Sequence, residues 1–295
     1  MNNFQLIKLY CDICQYYNNT LILYAQRQSN NYCPKFTDEE CITIYIYGIL
    51  EQRYTVKAIY EFIKKYYGGW FPNLPSYKAF NKRICYLSDA IRMLADCVIK
   101  ELDTKAAEEI KTHLLDSMPV VVANSKRSSR AKVAAEMCDK GYCDSKKMYY
   151  YGVKIHVLGE SKYETIPTPK LVSITKASDH DLKEAKVLLK DVHGIDLYAD
   201  KAYIDGVWEE ELKDKNNIEV LTPVKLKKGQ AYLESADKYK SAGVSRVRQP
   251  IESFFNWLQE KTNMQKASKV RSEEGLISFI YARLAAVCFI KLYAI

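Results

Sequence analysis

Three acidic side chains each sit where a carboxylate has to be explained. Asp116 interrupts the apolar run "LLDSMP", and Asp200 closes "LYAD". Glu252 lies in "RVRQPIESFFNWLQEK" among Ile251, Phe254, Phe255 and Leu258, which share the i, i+3, i+4, i+7 face of a helix. With Trp257 close by as well, little solvated surface is expected for Glu252, and a buried carboxylate is costly unless something compensates it. Arg248 is one compensator, as a structural salt bridge, if the helix extends back past Pro250. Divalent metal is the other. Three carboxylates from two strands and a helix can converge on one point, where they repel one another unless cations lie between them. Hard oxygen ligands of this kind suit Mg²⁺ or Mn²⁺. Two such ions about 3.5–4 Å apart would clamp the attacking and leaving oxygens of an in-line phosphoryl transfer. Taken singly, Asp116 and Asp200 also read as cap or turn residues. Ligand chemistry collects at the carboxyl ends of strands in open α/β sheets, which suits Asp200 better than Asp116.

The elements that must position these residues fall into two textures. Residues 1–105 read as helical. "TDEECITIYIYGILEQ" opens with a capping box, Thr37 with Glu40, and "TVKAIYEFIKKYYGGW" follows as an amphipathic helix ending at its glycines. After "FPNLPS", Ser76 caps "YKAFNKRICYLSDAI". Two short helices, the second carrying Lys78, Asn81, Lys82 and Arg83, make a helix-turn-helix-like pattern. The same charges also read as the solvated face of a plain bundle, and the connection is longer than a tight turn.

Residues 106–295 change character. "HLLDSMPVVVA", "MYYYGVKIHVLG", "KLVSITKA", "GIDLYAD" and "IEVLTPV" read as five strands, with helices "SDHDLKEAKVLLKDV" and "DGVWEEELKDKN" between the later ones. Strands joined by helices are expected to be parallel. A basic linker near 225–248 and two closing helices complete an α/β layout, preceded by an all-helical domain.

Bulk properties narrow the classes. With 295 residues, 48% hydrophobic and 27% charged, the chain is globular rather than disordered or fibrous. The start lacks the basic and apolar blocks of a signal peptide. The nine cysteines are scattered and read as reduced thiols, with Ile7, Tyr10, Cys11 and Cys14 as one core-facing helical stripe. "GLISFIYARLAAVCFIKLYAI" is interrupted by Arg283 and Lys291, so a buried helix is expected there rather than a membrane span.

A net charge of +8 is compatible with a polyanionic partner. Lys126, Arg127, Arg130 and Lys132 crowd into "NSKRSSRAKVA", and the 225–248 segment adds Lys227, Lys228 and further bases. Both read as mobile loops suited to a nucleic-acid backbone, although such runs are also ordinary solvated surface. His180 reads as a cap or packing residue with phosphate or metal contact as the other option, and Ser117 as a turn hydroxyl.

Read together, "FPNLPSYKAFNKR", "DSMPV", "KGYCDSKKMYYYGVKIHVL", "ASDHDLKEA", "ADKAY" and "RQPIESFFNWL" resemble the DDE transposases of bacterial insertion sequences, most closely insertion-sequence family 982. The resemblance implies an RNase H-like core with a mixed five-stranded sheet and flanking helices. It implies Asp116, Asp200 and Glu252 as the metal-binding catalytic triad with two Mg²⁺ or Mn²⁺ ions. Its further implications are cleavage at the ends of a mobile element and transfer of the 3′-hydroxyl ends to target DNA. The partners would be double-stranded DNA, as terminal inverted repeats and target, and a second copy of the chain on that DNA. The expected location is cytoplasmic, at the nucleoid, with no membrane. In the related signature Tyr-x2-Arg-x3-Glu-x6-Lys, Arg248 and Glu252 fit, whereas Ser245 and Gln259 replace the tyrosine and lysine. Lys261 stands two residues further on and joins Arg248 and the bases above as an expected DNA contact. A catalytically inactive DNA-binding regulator and an RNase H-like nuclease without joining activity stay open as alternatives.

Overall fold

The computed structural model describes residues 3–25, 34–104, 110–144, 146–162, 165–226, 229–230 and 232–293. The chain forms two compact units. One comprises Met1–Thr104, Lys132–Glu136 and Leu258–Ile295, the other Lys105–Ala131 and Met137–Trp257.

The first unit carries α1 (Asn3–Asn19), α2 (Asp38–Leu50), α3 (Val56–Tyr66), α4 (Tyr77–Tyr86) and α5 (Ser88–Thr104). The expected capping box opens α2. Thr37 Oγ1 accepts from the Glu40 N–H at 3.2 Å, and the Thr37 N–H donates to the Glu40 carboxylate at 2.7 Å. Thr55 and Ser76 cap α3 and α4 by accepting the N–H of Ala58 and of Ala79, without the reciprocal carboxylate bond. On α1 the buried stripe is Leu6, Leu9 and Ile13, while Ile7, Tyr10 and Cys11 are exposed. This corrects the cysteine-bearing stripe: two interleaved apolar stripes compete on that helix, and the branched aliphatic one wins the core. No disulfide joins the described cysteines; Cys33 lies outside the described residues.

The closing helix of this unit, Glu273–Tyr293, is long and apolar enough to cross a membrane by length and composition. In the structure its residues from Leu276 to Phe289 are mostly buried against α2, α4 and α5. Ser272 caps it by accepting the Gly275 N–H at 3.1 Å.

The second unit is built on a mixed sheet of β1 (Thr112–Asn124), β2 (Asp139–Cys143), β3 (Met148–Glu160), β4 (Thr168–Lys176), β5 (Asp196–Ala199) and β6 (Glu219–Leu221). The long β3 runs antiparallel to β1 on one edge, and β2 and β4 share its other edge end to end. On the far side β1 pairs with β5 and β5 with β6, both parallel as expected for strands joined by helices. The sheet therefore has six strands rather than five. The extra strand, "DKGYC", carries no apolar alternation to announce it. Its Gly141 is required because a Cβ there would run into the Ala177 carbonyl.

Between chain-adjacent strands lie a four-residue turn of helix, α6 (Ser125–Ser128), then α7 (Asp181–Leu188) and α8 (Gly206–Asn216). Leu115, Leu158, Leu197, Ala199, Trp208 and Leu212 form the core that α7 and α8 cover. The remaining helix of this unit, α9, spans Ser235–Thr262 with Pro250 inside it; the division between the two units falls in it at Trp257. The expected loop over 225–248 is thus helical from Ser235 onward. Over this first half only Val244 and Ile251 are buried, with Asp237, Ser241 and Val247 half-buried at the helical period between them, a stripe too thin and too polar to stand out in the sequence. The closing helix of the first unit, Glu273–Tyr293, is α10.

Candidate active site

The parallel pairing of β1 with β5 sets the geometry of the first two acids. Leu115 is the register partner of Ala199, so Asp116 and Asp200 occupy the next position on adjacent strands, where β5 ends. Neighbouring strands lie about 4.8 Å apart and equivalent positions face the same side. Each carboxylate is fixed by the backbone that follows it. The Ser117 N–H donates to Asp116 Oδ1 at 2.8 Å, and the Lys201 N–H donates to Asp200 Oδ1 at 2.7 Å.

Glu252 enters from α9 through Arg248. The guanidinium donates to Asp116 Oδ2 at 2.8 Å and to Glu252 Oε1 at 2.7 Å, so one arginine spans a strand acid and the helix acid. The helix does continue back through Pro250, and Arg248 and Glu252 are an i, i+4 pair on it. Glu252 itself is not buried: 55% of its side chain is exposed. Ile251, Phe254, Phe255 and Leu258 form the buried stripe, and Glu252, rotated about 100° from Ile251, flanks it. The Arg248 side chain is 15% exposed, and its buried Nε has no hydrogen-bond partner among the described residues.

Electrostatics ties the three acids together. The Asp116 carboxyl is pushed up to about 6, first by burial and further by the charges of Asp200 and Glu252. Arg248 and the Ser117 N–H pull it back down. Among the described residues no group of three or more His, Cys, Asp or Glu side chains stands in a metal-holding arrangement. The donor set nonetheless suits a hard divalent ion: carboxylate oxygens only, mutually repelling, with one cation already drawn between two of them.

A polar neighbourhood surrounds this group that the sequence did not single out. Ser117 Oγ, on β1 rather than in a turn, donates to Asp181 Oδ2 at 3.2 Å. Lys154 Nζ donates to Asp181 Oδ1 at 2.5 Å and also to the Asp179 carbonyl. The phenol of Tyr203 is buried without a hydrogen-bond partner of ordinary geometry among the described residues. It is held well above its usual pKa by burial and by the charges of Asp181, Asp116 and Asp200. His156 is buried against Thr175 Oγ1 at 2.8 Å, and burial pushes its pKa down. His180 occupies the N-cap of α7 without a side-chain capping bond. In the sequence Asp181 reads as a first-turn acid of α7, and nothing local marks it as facing β1.

The remaining basic residues are distributed more widely. Lys126, Arg127 and Arg130 are exposed at the far end of β1, roughly 25 Å along the strand from Asp116 at about 3.3 Å per residue. In the helical unit Lys78 is exposed on α4, and Lys82 stacks over the Tyr86 ring at 5.3 Å. Arg83 is committed elsewhere, with Nε 2.7 Å and NH2 2.5 Å from the two oxygens of Asp38 and NH2 also 3.0 Å from the Ala25 carbonyl. Lys261 pairs with Glu260 at 3.4 Å. Lys227 and Lys228 lie outside the described residues.

A mixed α/β sheet with aspartates side by side at the end of a parallel strand pair, joined by arginine to a helix glutamate, is a frame suited to carboxylate-based chemistry. The profile of the transposase DDE domain matches residues 106–273, a segment that contains all three acids. The chain belongs to that family, and the family marks it as a transposase. No curated protein matches it.

Proposed function

We propose that this chain is the transposase of a bacterial insertion sequence of family 982, with an RNase H-like core that cuts the element's ends and joins them to target DNA. The observation carrying this reading is the β1–β5 register, which sets Asp116 beside Asp200 inside the matched DDE segment. The strand order β4-β3-β1-β5-β6, with β3 antiparallel to β1, supports an RNase H-like sheet to which β2 is an edge addition. In this reading residues 1–105 bind DNA and 106–295 carry the chemistry.

Asp116, Asp200 and Glu252 would hold two Mg²⁺ or Mn²⁺ ions. Bound there, the ions would activate water and then the 3′-hydroxyl, and stabilise the departing oxygen. Water would break a phosphodiester at the element end, leaving a 3′-hydroxyl and a 5′-phosphate. That hydroxyl would attack a target phosphate and expel the target's own 3′-oxygen, so no covalent enzyme intermediate is needed. Arg248, released from the carboxylates it bridges, would neutralise the scissile phosphate. Lys78, Lys82, Lys126, Arg127, Arg130, Lys227, Lys228 and Lys261 serve the DNA backbone. Two copies would hold the two ends, in the bacterial cytoplasm at the nucleoid.

The test uses duplexes bearing the element's inverted repeat, with Mg²⁺ or with chelator, and a precut 3′-hydroxyl end with supercoiled plasmid. Metal-dependent nicking plus a joined product is the expected result. Nicking without joining would reassign the chain as a nuclease, and binding without nicking as a regulator.

A further inference from the structure

The helical unit holds a cavity of about 250 Å³ between the start of α3, the face of α4 bearing Asn81, Ile84 and Cys85, and the 263–272 segment leading into α10. Its inner wall includes Tyr45, Tyr54 and Phe279, and its rim carries Lys266, Lys269 and Arg271. These rim cations are exposed. Among the described residues Arg271 bonds the carbonyls of Ser268 and Val270 through Nη1, at 3.0 and 2.6 Å. Among the described residues none of the three rim cations makes an ion pair.

Behind the wall stands a fourth cation. Arg283 is 1% exposed and faces no carboxylate among the described residues. Its guanidinium stacks 3.4 Å from the centre of the Phe279 ring. It donates to the carbonyls of Thr262 at 2.9 Å, Phe279 at 3.0 Å and Tyr54 at 2.8 Å. It therefore ties Tyr54 and Phe279 of the cavity wall to Thr262 beside it, with no carboxylate among the described residues to neutralise its charge. One acid is felt at the wall: Glu274, whose charge adds to burial in raising the Cys85 thiol.

An electropositive rim over an aromatic floor is the chemistry that takes phosphates outside and a planar base inside. The volume admits a single base and not a duplex. We propose that this cavity holds one unpaired nucleotide of a DNA strand end, its flanking phosphates on Lys266, Lys269 and Arg271 and its base against Tyr54 and Phe279. The site belongs to the helical unit, apart from the carboxylates of the sheet unit. It rests on the reading of the chain as acting on DNA ends only in the choice of DNA as the source of the anion.

The test is fluorescence anisotropy of the full chain in chelator, with a repeat-end duplex either fully paired or carrying mismatched, frayed terminal bases. The wild type is expected to bind the frayed end about tenfold tighter. In Lys266→Ala/Lys269→Ala/Arg271→Ala that preference is expected to vanish, and the log–log salt slope to fall by about 2. The charge-keeping set Lys266→Arg/Lys269→Arg/Arg271→Lys should retain both. Equal wild-type affinity for the two ends, a preference surviving neutralisation, or its loss in the charge-keeping set would each overturn the proposal. A deoxynucleoside monophosphate that raises the melting temperature while no frayed-end preference exists would make this a free-nucleotide site and overturn it too. Magnesium-dependent cutting by a wild type without that preference would remove the cavity's role and leave the transposition reading standing. A preference without cutting would do the reverse.

Discussion

Two arginines show how differently the two units handle charge. Arg248 in the sheet unit is ringed by acids and bridges Asp116 to Glu252. Arg283 in the helical unit is surrounded by carbonyls and an aromatic face. A guanidinium held by carboxylates stands where another cation can replace it, because the acids remain to receive the newcomer. One held by neutral dipoles is structural, and its charge stays available to attract an anion. In the functions proposed above, the same residue type marks a cation-seeking place in one unit and an anion-seeking place in the other.

The strongest way to break this contrast is at Asp200. Asp200→Asn keeps the backbone bond to Lys201 possible but removes a charge. It should lower metal-dependent end cutting by at least about a thousandfold, ~4 kcal/mol of barrier, with DNA affinity retained; cutting at wild-type rate would remove Asp200 from the site. Next is Arg283→Met, which preserves bulk and strands three carbonyl acceptors. A loss of roughly 3 kcal/mol is expected in denaturant unfolding of the helical unit, and an unchanged midpoint would refute the role of Arg283 as its tie.

Arg248→Gln should act in the opposite sense on metal. Without the competing guanidinium, the carboxylates are left more repulsive. The rise in melting temperature on adding Mn²⁺ should then exceed that of wild type, where binding to the folded form alone stabilises it. A smaller rise would mean that Arg248 helps hold the ion. The smallest effect concerns pH. The Asp116 pKa is raised to about 6, so the folded state binds its proton more tightly than the unfolded chain does. Its ionisation then costs stability above about pH 6, and that cost fades as pH falls toward the ordinary carboxylate value near 4. In chelator at pH 7.5, Asp116→Asn should melt a few degrees above wild type, with the gap closing by pH 4.5. A gap that does not change with pH would assign the effect to packing.

What the sequence made legible follows from periodicity. Five strands, the capped helices α2, α3 and α4, and the acids Asp116 and Asp200 beside apolar runs all announce themselves by local pattern. The strand β2 did not, because its pairing is dictated by the neighbouring β3 edge and by a close approach at Gly141 rather than by apolar alternation. The first half of α9 is hidden because it buries little, Val244 and Ile251 with half-buried Asp237, Ser241 and Val247 between them. Glu252 reads as buried in the sequence but is exposed in the fold, because spacing alone does not say where a stripe's edge falls. Asp181, Tyr203 and the bond from Arg248 to Asp116 join residues 64 and 132 positions apart or meet only in the fold, and no local signal carries them.

The ladder between Thr112–Leu115 and Asp196–Ala199 also behaves as an index. Strand side chains alternate faces at every step, so deleting a single residue from either four-residue rung set would turn one aspartate to the opposite surface while leaving composition, charge and hydrophobicity almost unchanged. Length variation in relatives of this chain should therefore gather in the connections around these rungs and spare the rungs themselves.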